Sequence, residues 1–223
     1  MDKTAIRHAS TVILVRDADT TPAVLMGQRG AKAAFMPSKF VFPGGAVDAE
    51  DAQISFGHPA NPVCAEKLAV DPRGISTEAL LAAAIREVWE ETGLRLGTSG
   101  QGTPDGTPES WLSYFGSGAA PDARPLRFIF RAITPPGRPR RFDARFFIAP
   151  VEALMDDPDD FSKASDELSH LHWVPLSEAR ALDLPFITEV VLGELSSALP
   201  GLSPPDGIPF FHHDNEVSRF QRL

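Results

Sequence analysis

The chain has 223 residues, of which 43% are hydrophobic, enough to fill the core of one domain. Its formal net charge of −9 argues against a nucleic-acid partner and against docking on anionic membranes. The single cysteine, Cys64, excludes a disulfide framework and any zinc site built from several cysteines. Because the sequence shows neither a signal-peptide pattern nor a long apolar run, a cytoplasmic location is expected.

The sequence pattern in the first 45 residues predicts three strands. Residues 8–16 and 24–29 read as a buried strand and its hairpin partner, since both are rich in Val, Leu and Ile. Residues 39–42 predict a short strand that ends at a proline. Gly44 and Gly45 follow, and a pair of glycines indicates an unusual backbone or a close approach of another group.

A polar excursion separates these strands from a long helix. Residues 52–75 are punctuated by Pro and Gly, with a weak helix predicted at 62–70. Ser76 or Thr77 is suited to cap the N-terminus of the next helix, and Gly93 is suited to end it.

The remaining elements alternate between strands, loops and a last helix. Residues 95–108 contain several Gly and Pro residues and predict a flexible loop. The whole pattern favours one α+β or α/β domain covering residues 1–223. The expected elements are strands near 126–133, 144–149 and 169–174, a helix at 187–199, and a Pro-containing C-terminal tail at 200–223.

The long helix carries the chemistry. Glu87, Glu90 and Glu91 have helical spacings i, i+3 and i+4, so their carboxylates share one face. Crowded carboxylates repel each other and raise one another's pKa unless a cation lies among them. Hard divalent cations prefer oxygen ligands, so Mg²⁺ is the first candidate and Mn²⁺ the second. The sequence therefore predicts metal-assisted chemistry on phosphates.

The helix and the preceding glycines together resemble a known motif. The run Arg86-Glu87-Val88-Trp89-Glu90-Glu91-Thr92-Gly93-Leu94, downstream of Gly45 and Asp51, resembles the Nudix box of the Nudix hydrolases. Asp51 stands where that family usually has Glu, and residues 52–85 make the box longer than usual. The resemblance implies an α/β/α sandwich with a mixed sheet, enlarged by a loop and helix insertion at 52–75.

The resemblance also implies roles for individual residues. Glu87, Glu90 and Glu91 would be metal ligands, together with the backbone carbonyl of Gly44. Arg86 would orient a carboxylate, and Glu90 or Glu167 would accept a proton from the attacking water. Asp51 could brace the loop or contact the metal.

Two further runs narrow the resemblance within the family. Residues 35–51 and the run Arg140-Arg141-Phe142-Asp143-Ala144-Arg145-Phe146-Phe147 resemble the branch related to the peroxisomal coenzyme A diphosphatases. That branch also carries an enlarged box. Its stricter signature expects an Arg and a Gly where this chain has Ala34 and Ser38.

Several basic side chains are candidates for binding the substrate. Arg29, Arg141 and Arg145 could grip diphosphate oxygens by bidentate hydrogen bonds. Arg141 and Arg145 could equally brace the strand that contains them. The run His212-His213-Asp214 is a weaker candidate for a metal site, since such a run near a C-terminus is more often a polar tail.

The expected partner is a small nucleoside-diphosphate-linked molecule, with coenzyme A or an acyl-CoA first. ADP-ribose and dinucleoside polyphosphates are the alternatives within the same family. A non-catalytic ligand-sensing domain is a further alternative, although such domains tend to lose carboxylates that this chain keeps. A structural or interaction module would leave the carboxylate face unexplained, and a homodimer is a state that the sequence leaves open.

Overall fold

The computed structural model describes residues 5–31, 33, 35–214 and 217–223, and only the backbone of residue 214. The four helices are α1 Pro62–Leu68, α2 Thr77–Thr92, α3 Leu112–Gly116 and α4 Phe186–Ala198. The first six strands are β1 Ile6–Arg16, β2 Ala23–Arg29, β3 Phe40–Val41, β4 Gly44–Ala46, β5 Gly97–Ser99 and β6 Ala119–Pro121. The others are β7 Arg127–Ile133, β8 Arg141–Pro150, β9 Leu168–Pro175, β10 Pro209–Asp214 and β11 Val217–Arg222.

Nine of these strands form one mixed sheet. The strand order is β11-β10-β7-β8-β1-β2-β3, with β4 paired to β1 and β9 paired to β2. The pairs β1–β8 and β7–β10 are parallel, whereas the other pairs of this sheet are antiparallel. Strand β1 is therefore central and contacts the glycine strand β4 directly.

Alternating side chains of β1 fill two cores, one on each face of the sheet. Val12 and Leu14 pack in the core that includes α2, while Ile13 and Val15 pack in the core that includes α4. Successive side chains of β1 thus point to opposite faces of the sheet, because side chains alternate with a period of two along a strand. The result is the α+β sandwich with a mixed sheet that the sequence predicted.

Local signals set the bounds of α2. The Ser76 hydroxyl accepts a hydrogen bond from the amide of Ala79 at 3.1 Å, which satisfies one of the free N–H groups of the first turn. Gly93 ends the helix with φ of 74°, in the left-handed region that glycine enters at little cost. Both predicted ends are confirmed.

The excursion at 52–75 contributes to the core rather than lying on the surface. It contains α1, and it buries Ile54, Cys64 and Leu68 in the core on the α2 side. The insertion is therefore an integral part of the described fold.

Two segments contain strands where the sequence indicated none. The predicted loop at 95–108 includes β5, which pairs with β6 in a separate two-stranded sheet. The predicted tail at 200–223 includes β10 and β11, which extend the main sheet beyond β7. Among the described residues, no helix has the length and apolar character needed to cross a membrane.

Candidate active site

The two glycines of β4 let helix α2 approach the sheet closely. A β-carbon added to Gly45 would lie 2.5 Å from the carboxylate of Glu87. A β-carbon on Gly44 would lie 2.6 Å from the backbone oxygen of Ser10 in β1. A side chain at Gly44 would therefore collide with backbone, and one at Gly45 would displace the Glu87 carboxylate, so the observed geometry depends on glycine at both positions.

Glu91 is held against this glycine strand. The amide of Gly44 donates a 2.8 Å hydrogen bond to Oε2 of Glu91, whose residue is 2% exposed. Burial raises the pKa of Glu91 to about 8, and the charge of Glu87 adds to the shift. The Gly44 hydrogen bond and the positive charge of Arg29 oppose it. Glu91 is therefore a buried carboxyl group whose negative charge Arg29 offsets only in part.

Glu87 and Glu90 share one arginine. Nη1 of Arg86 donates to Oε1 of Glu87 at 2.8 Å and to Oε2 of Glu90 at 3.1 Å. Burial raises the pKa of Glu87 to about 7 despite the attraction of Arg86. Burial also raises the pKa of Glu90, which is more exposed. One guanidinium does not balance these carboxylates.

Arg86 joins the helix to the start of the box. Its Nε and Nη2 donate to the two oxygens of Asp51, each at 2.9 Å, and Nη2 also donates to the carbonyl of Ala46 at 3.0 Å. Burial alone would lower the pKa of Arg86, but the hydrogen bonds to Asp51 and the charge of Glu87 raise it above its ordinary value. The guanidinium is thus a fixed positive charge at all working pH values.

Asp51 braces this arginine. The residue is fully buried, and its carboxylate also accepts hydrogen bonds from the indole of Trp111 at 3.0 Å and the amide of Asp48 at 2.9 Å. Every one of these donors comes from the protein, so the bracing role left open by the sequence is the one that the contacts support. Trp111 was missed in the sequence because it lies 60 residues from Asp51 and no local pattern connects the two.

The donor set fits a divalent cation. Asp51, Glu87 and Glu90 share the guanidinium of Arg86, and Glu91 is attracted only by Arg29, so negative charge exceeds positive charge when all four carboxylates are ionised. Carboxylate oxygens are the ligands that Mg²⁺ and Mn²⁺ prefer. In the residues described, no three such side chains already converge on one point, because Glu87 and Glu90 turn to Arg86 and Glu91 turns to the Gly44 amide.

Two further predicted residues lie beside the carboxylates. Glu167 is exposed just before β9, and its charge raises the pKa of Glu87, Glu90 and Glu91. Arg29, at the end of β2, is close enough for its charge to lower the pKa of Glu91. Its Nε is buried, and no acceptor for it occurs among the described residues. Both therefore lie within electrostatic reach of Glu91, and their roles stay predictions.

Arg145 occupies a different environment. It is 1% exposed, and it donates to Nδ1 of His8 at 2.9 Å and to the carbonyls of Asp143 and Pro72 at 3.0 and 3.4 Å. Burial lowers its pKa to about 10, although Asp143 opposes the shift. These contacts place Arg145 in the interior and favour the bracing role that the sequence left open, and a diphosphate contact stays a prediction.

Arg141 and the histidines of β10 are separate from the carboxylates as well. Nε of Arg141 donates to the carbonyl of Thr134 at 3.1 Å, which ties β8 to β7. His212 stacks on Phe210, and His213 contacts Phe211, so alternation along the strand sends the two rings to opposite faces. They cannot share one metal ion, and the side chain of Asp214 lies outside the described residues.

Comparison with known proteins bears on the family. The family model of the NUDIX domain matches residues 6–192. A Caenorhabditis elegans protein provisionally named nudix hydrolase 7 is 27% identical over 184 residues, covering 77% of this chain and 52% of its own length. The chain thus spans about half the length of that curated relative.

Solved structures give a similar result. A NUDIX hydrolase from Alicyclobacillus acidocaldarius superposes with a TM-score of 0.64 at 30% identity, covering 88% of this chain and 93% of its own. The NUDIX domain of Shewanella oneidensis NrtR, solved with ADP ribose, superposes with a TM-score of 0.50 at 12% identity, covering 87% of this chain and 88% of its own. The second likeness concerns the fold alone. With the family model matched from β1 into α4, the chain belongs to the Nudix domain family.

Proposed function

We propose that the protein is a divalent-metal-dependent hydrolase of a nucleoside-diphosphate-linked substrate, with coenzyme A or an acyl-CoA as the preferred class. The observation that carries this proposal is the group of carboxylates with raised pKa values packed against Gly44 and Gly45. Ionising several buried carboxylates costs free energy when they stand alone, and it becomes favourable when a bound cation balances their charge. A structural face of solvated glutamates would not need to be buried.

Different residues of the chain would bind the metal, accept the proton and contact the phosphate. Glu87, Glu90 and Glu91 would hold the cation, which when bound lowers the pKa of a water and neutralises phosphate charge. A role for the Gly44 carbonyl as a further ligand stays a prediction, since the contact described for Gly44 is through its N–H. Glu90 or Glu167 would accept the proton of the attacking water. Arg29, with its unpaired Nε, would donate to a phosphate oxygen.

The substrate class rests on the two runs that resemble the coenzyme A diphosphatases. One departure from that signature is smaller than the sequence suggests. Ser38 has φ of 60°, in the left-handed region that glycine favours, so a glycine would adopt the backbone found at this position readily. The other departure, Ala34, lies outside the described residues. ADP-ribose is the runner-up, because a structural relative was solved with that ligand.

A substrate panel tests both levels of the proposal. The full chain would be incubated with coenzyme A, 3′-dephospho-coenzyme A and ADP-ribose, with Mg²⁺, with Mn²⁺ and with EDTA, and products identified by mass. We expect no turnover in EDTA and recovery with either metal. A charge-assisted contact to the 3′-phosphate should favour coenzyme A over its dephospho form by about 10- to 100-fold in kcat/KM. Full activity in EDTA would overturn the metal assignment, and a preference for ADP-ribose would overturn only the substrate.

A further inference from the structure

Strand β11 is an exposed edge of the main sheet. In the part of the chain that the structure describes, β11 pairs with β10 alone, and all six of its residues are exposed. Val217 and Phe220 are 60% and 53% exposed. An exposed edge that carries apolar side chains is a template for pairing with another strand.

The direction of the unpaired backbone groups follows from the hairpin. Ile208 and Leu223 exchange both of their backbone hydrogen bonds, at 3.2 and 2.9 Å, so they form a hydrogen-bonded pair. Such pairs recur every second residue along an antiparallel ladder. Val217, Arg219 and Gln221 therefore direct their backbone groups at β10, and the backbone groups of Ser218, Phe220 and Arg222 point outward.

We propose that a second copy of this chain pairs with β11 in antiparallel orientation, about a twofold axis that passes beside Phe220. The main sheets of two subunits would then form one continuous sheet. A twofold axis perpendicular to a sheet requires one residue to face its own counterpart. Phe220 meets the requirement, because its outward N–H would donate to the carbonyl of its counterpart and its carbonyl would accept from the counterpart's N–H.

The side chains in this register are self-complementary. Centring on Phe220 pairs all of residues 217–223, with the two Phe220 rings side by side. Val217 then faces Leu223, Ser218 faces Arg222, and Arg219 faces Gln221, so no like charges lie directly opposite. Centring on Arg219 instead would place two guanidinium groups opposite each other.

A neighbouring aromatic patch extends the contact. Phe220 is the cross-strand partner of Phe211, whose ring lies 5.9 Å from that of Phe186 at the start of α4. Phe186 is 64% exposed, so the patch offers apolar area on the same side as the Phe220 ring. A pairing of seven residues alone is smaller than the roughly 1,000 Å² expected of a specific interface. The patch supplies further area, and for a contact of this modest size we expect a dissociation constant on the order of micromolar.

The charge distribution favours β11 as the contact between two copies of this acidic chain. Each copy carries a net charge of −9, which opposes association through most of the surface. Residues 217–223 contain two arginines and no acidic residue. Pairing through this edge therefore brings no acidic side chain of residues 217–223 against its counterpart.

The oligomeric state of the full chain gives the first test. At about 100 µM, well above a micromolar dissociation constant, sedimentation or light scattering should give twice the monomer mass of 24.1 kDa. A monomer at that concentration would overturn the proposal and leave the edge for a peptide of another protein. The result does not depend on hydrolase activity, so it stands or fails separately from the proposed function.

Cysteine substitutions test the register of the proposed pairing between the two β11 strands. Residues in a hydrogen-bonded antiparallel pair have Cα atoms about 5.5 Å apart, within disulfide range. Phe220→Cys should therefore give a covalent dimer under mild oxidation, whereas Gln221→Cys should not, since its counterpart would lie about 8 Å away. The native Cys64 is buried and does not compete. Crosslinking of Gln221→Cys without Phe220→Cys would overturn the register.

Charge substitutions test the twofold contact itself. Phe220→Glu and Phe220→Lys should each weaken the dimer by about 30-fold or more, because like charges would meet at the axis. An equimolar mixture of the two variants should associate again. Leu112→Glu, at an exposed apolar position on α3, is the matched control and should leave the dimer unchanged. Dimers of undiminished affinity in both Phe220 variants, or a mixture that stays monomeric, would overturn the proposal.

Discussion

Arg86 and Asp51 meet through two parallel hydrogen bonds of 2.9 Å in the interior of the protein. The two residues are 35 positions apart in sequence, on opposite sides of the insertion. Their contact places the start of the box against the helix that carries the glutamates. The geometry of the candidate site therefore depends on a buried ion pair.

Removing one partner of this pair should destabilise the fold. Asp51→Asn leaves the guanidinium without its bidentate partner, and breaking a buried pair in this way costs about 3–5 kcal/mol. Arg7→Ala removes the exposed pair between Arg7 and Asp48 and should change the free energy of unfolding by less than about 0.5 kcal/mol. Urea denaturation of both variants checks the prediction, and equal small losses would contradict it.

The two glycines of β4 should respond differently to substitution. Gly45→Ala would press on the carboxylate of Glu87, the flexible end of a side chain, so it should shift that ligand and lower kcat more than it lowers stability. Gly44→Ala would press on the backbone of Ser10 and Thr11, which cannot yield, and should cost about 1–3 kcal/mol. Melting temperature and kcat measured on both variants separate the two effects.

The free energy of unfolding should fall as the pH rises when chelator removes divalent metal. Glu91 has a pKa of about 8 in the folded protein and an ordinary value of 4.5. The folded state therefore holds a proton that the unfolded state releases, and this contribution, complete below about pH 4.5, is lost as the pH rises towards 8. Glu87, with a pKa of about 7, acts in the same direction.

Glu91→Gln provides the control for this pH dependence. The amide cannot ionise, so the variant in EDTA should lose less stability between pH 5 and pH 8 than the parent protein, with the interval set by the two pKa values. Urea titrations at several pH values would measure the difference. Identical slopes in the two proteins would show that Glu91 is not the group responsible.

Glu90→Gln should separate chemistry from folding. The side chain is half-exposed and shares Arg86 with Glu87, so its neutral amide should leave the fold intact. Loss of one charge at the metal face should lower kcat by about 100-fold or more on the preferred substrate. Circular dichroism would check the fold, and steady-state kinetics would give kcat. A kcat near that of the parent protein would contradict a role for Glu90 in the reaction.

Local signals made parts of the structure predictable. Ser76 and Gly93 set the ends of α2 through contacts within one helical turn, and the spacing of the three glutamates followed from that helix. Strands β5 and β10 were not predicted, because each is defined by a partner distant in sequence. Arg145 was ambiguous for the same reason, since only its contacts with His8 and Asp143 decide between bracing and binding.

The span between Asp51 and Arg86 carries a modest entropic cost. Each doubling of the length of a closed loop costs only about 0.6 kcal/mol, so lengthening this span is cheap compared with the buried pair that closes it. The guanidinium of Arg131 also fastens the loop midway, by donating to the carbonyl of Asp71 at 3.0 Å. Gly57 and His58 are tied to residues 121–123 by backbone hydrogen bonds, so the exposed Pro59, between them and α1, is a place where extra sequence can be accepted without moving the glutamates. The length of this exposed stretch and the catalytic geometry can therefore vary independently, although the buried residues of the insertion belong to the core.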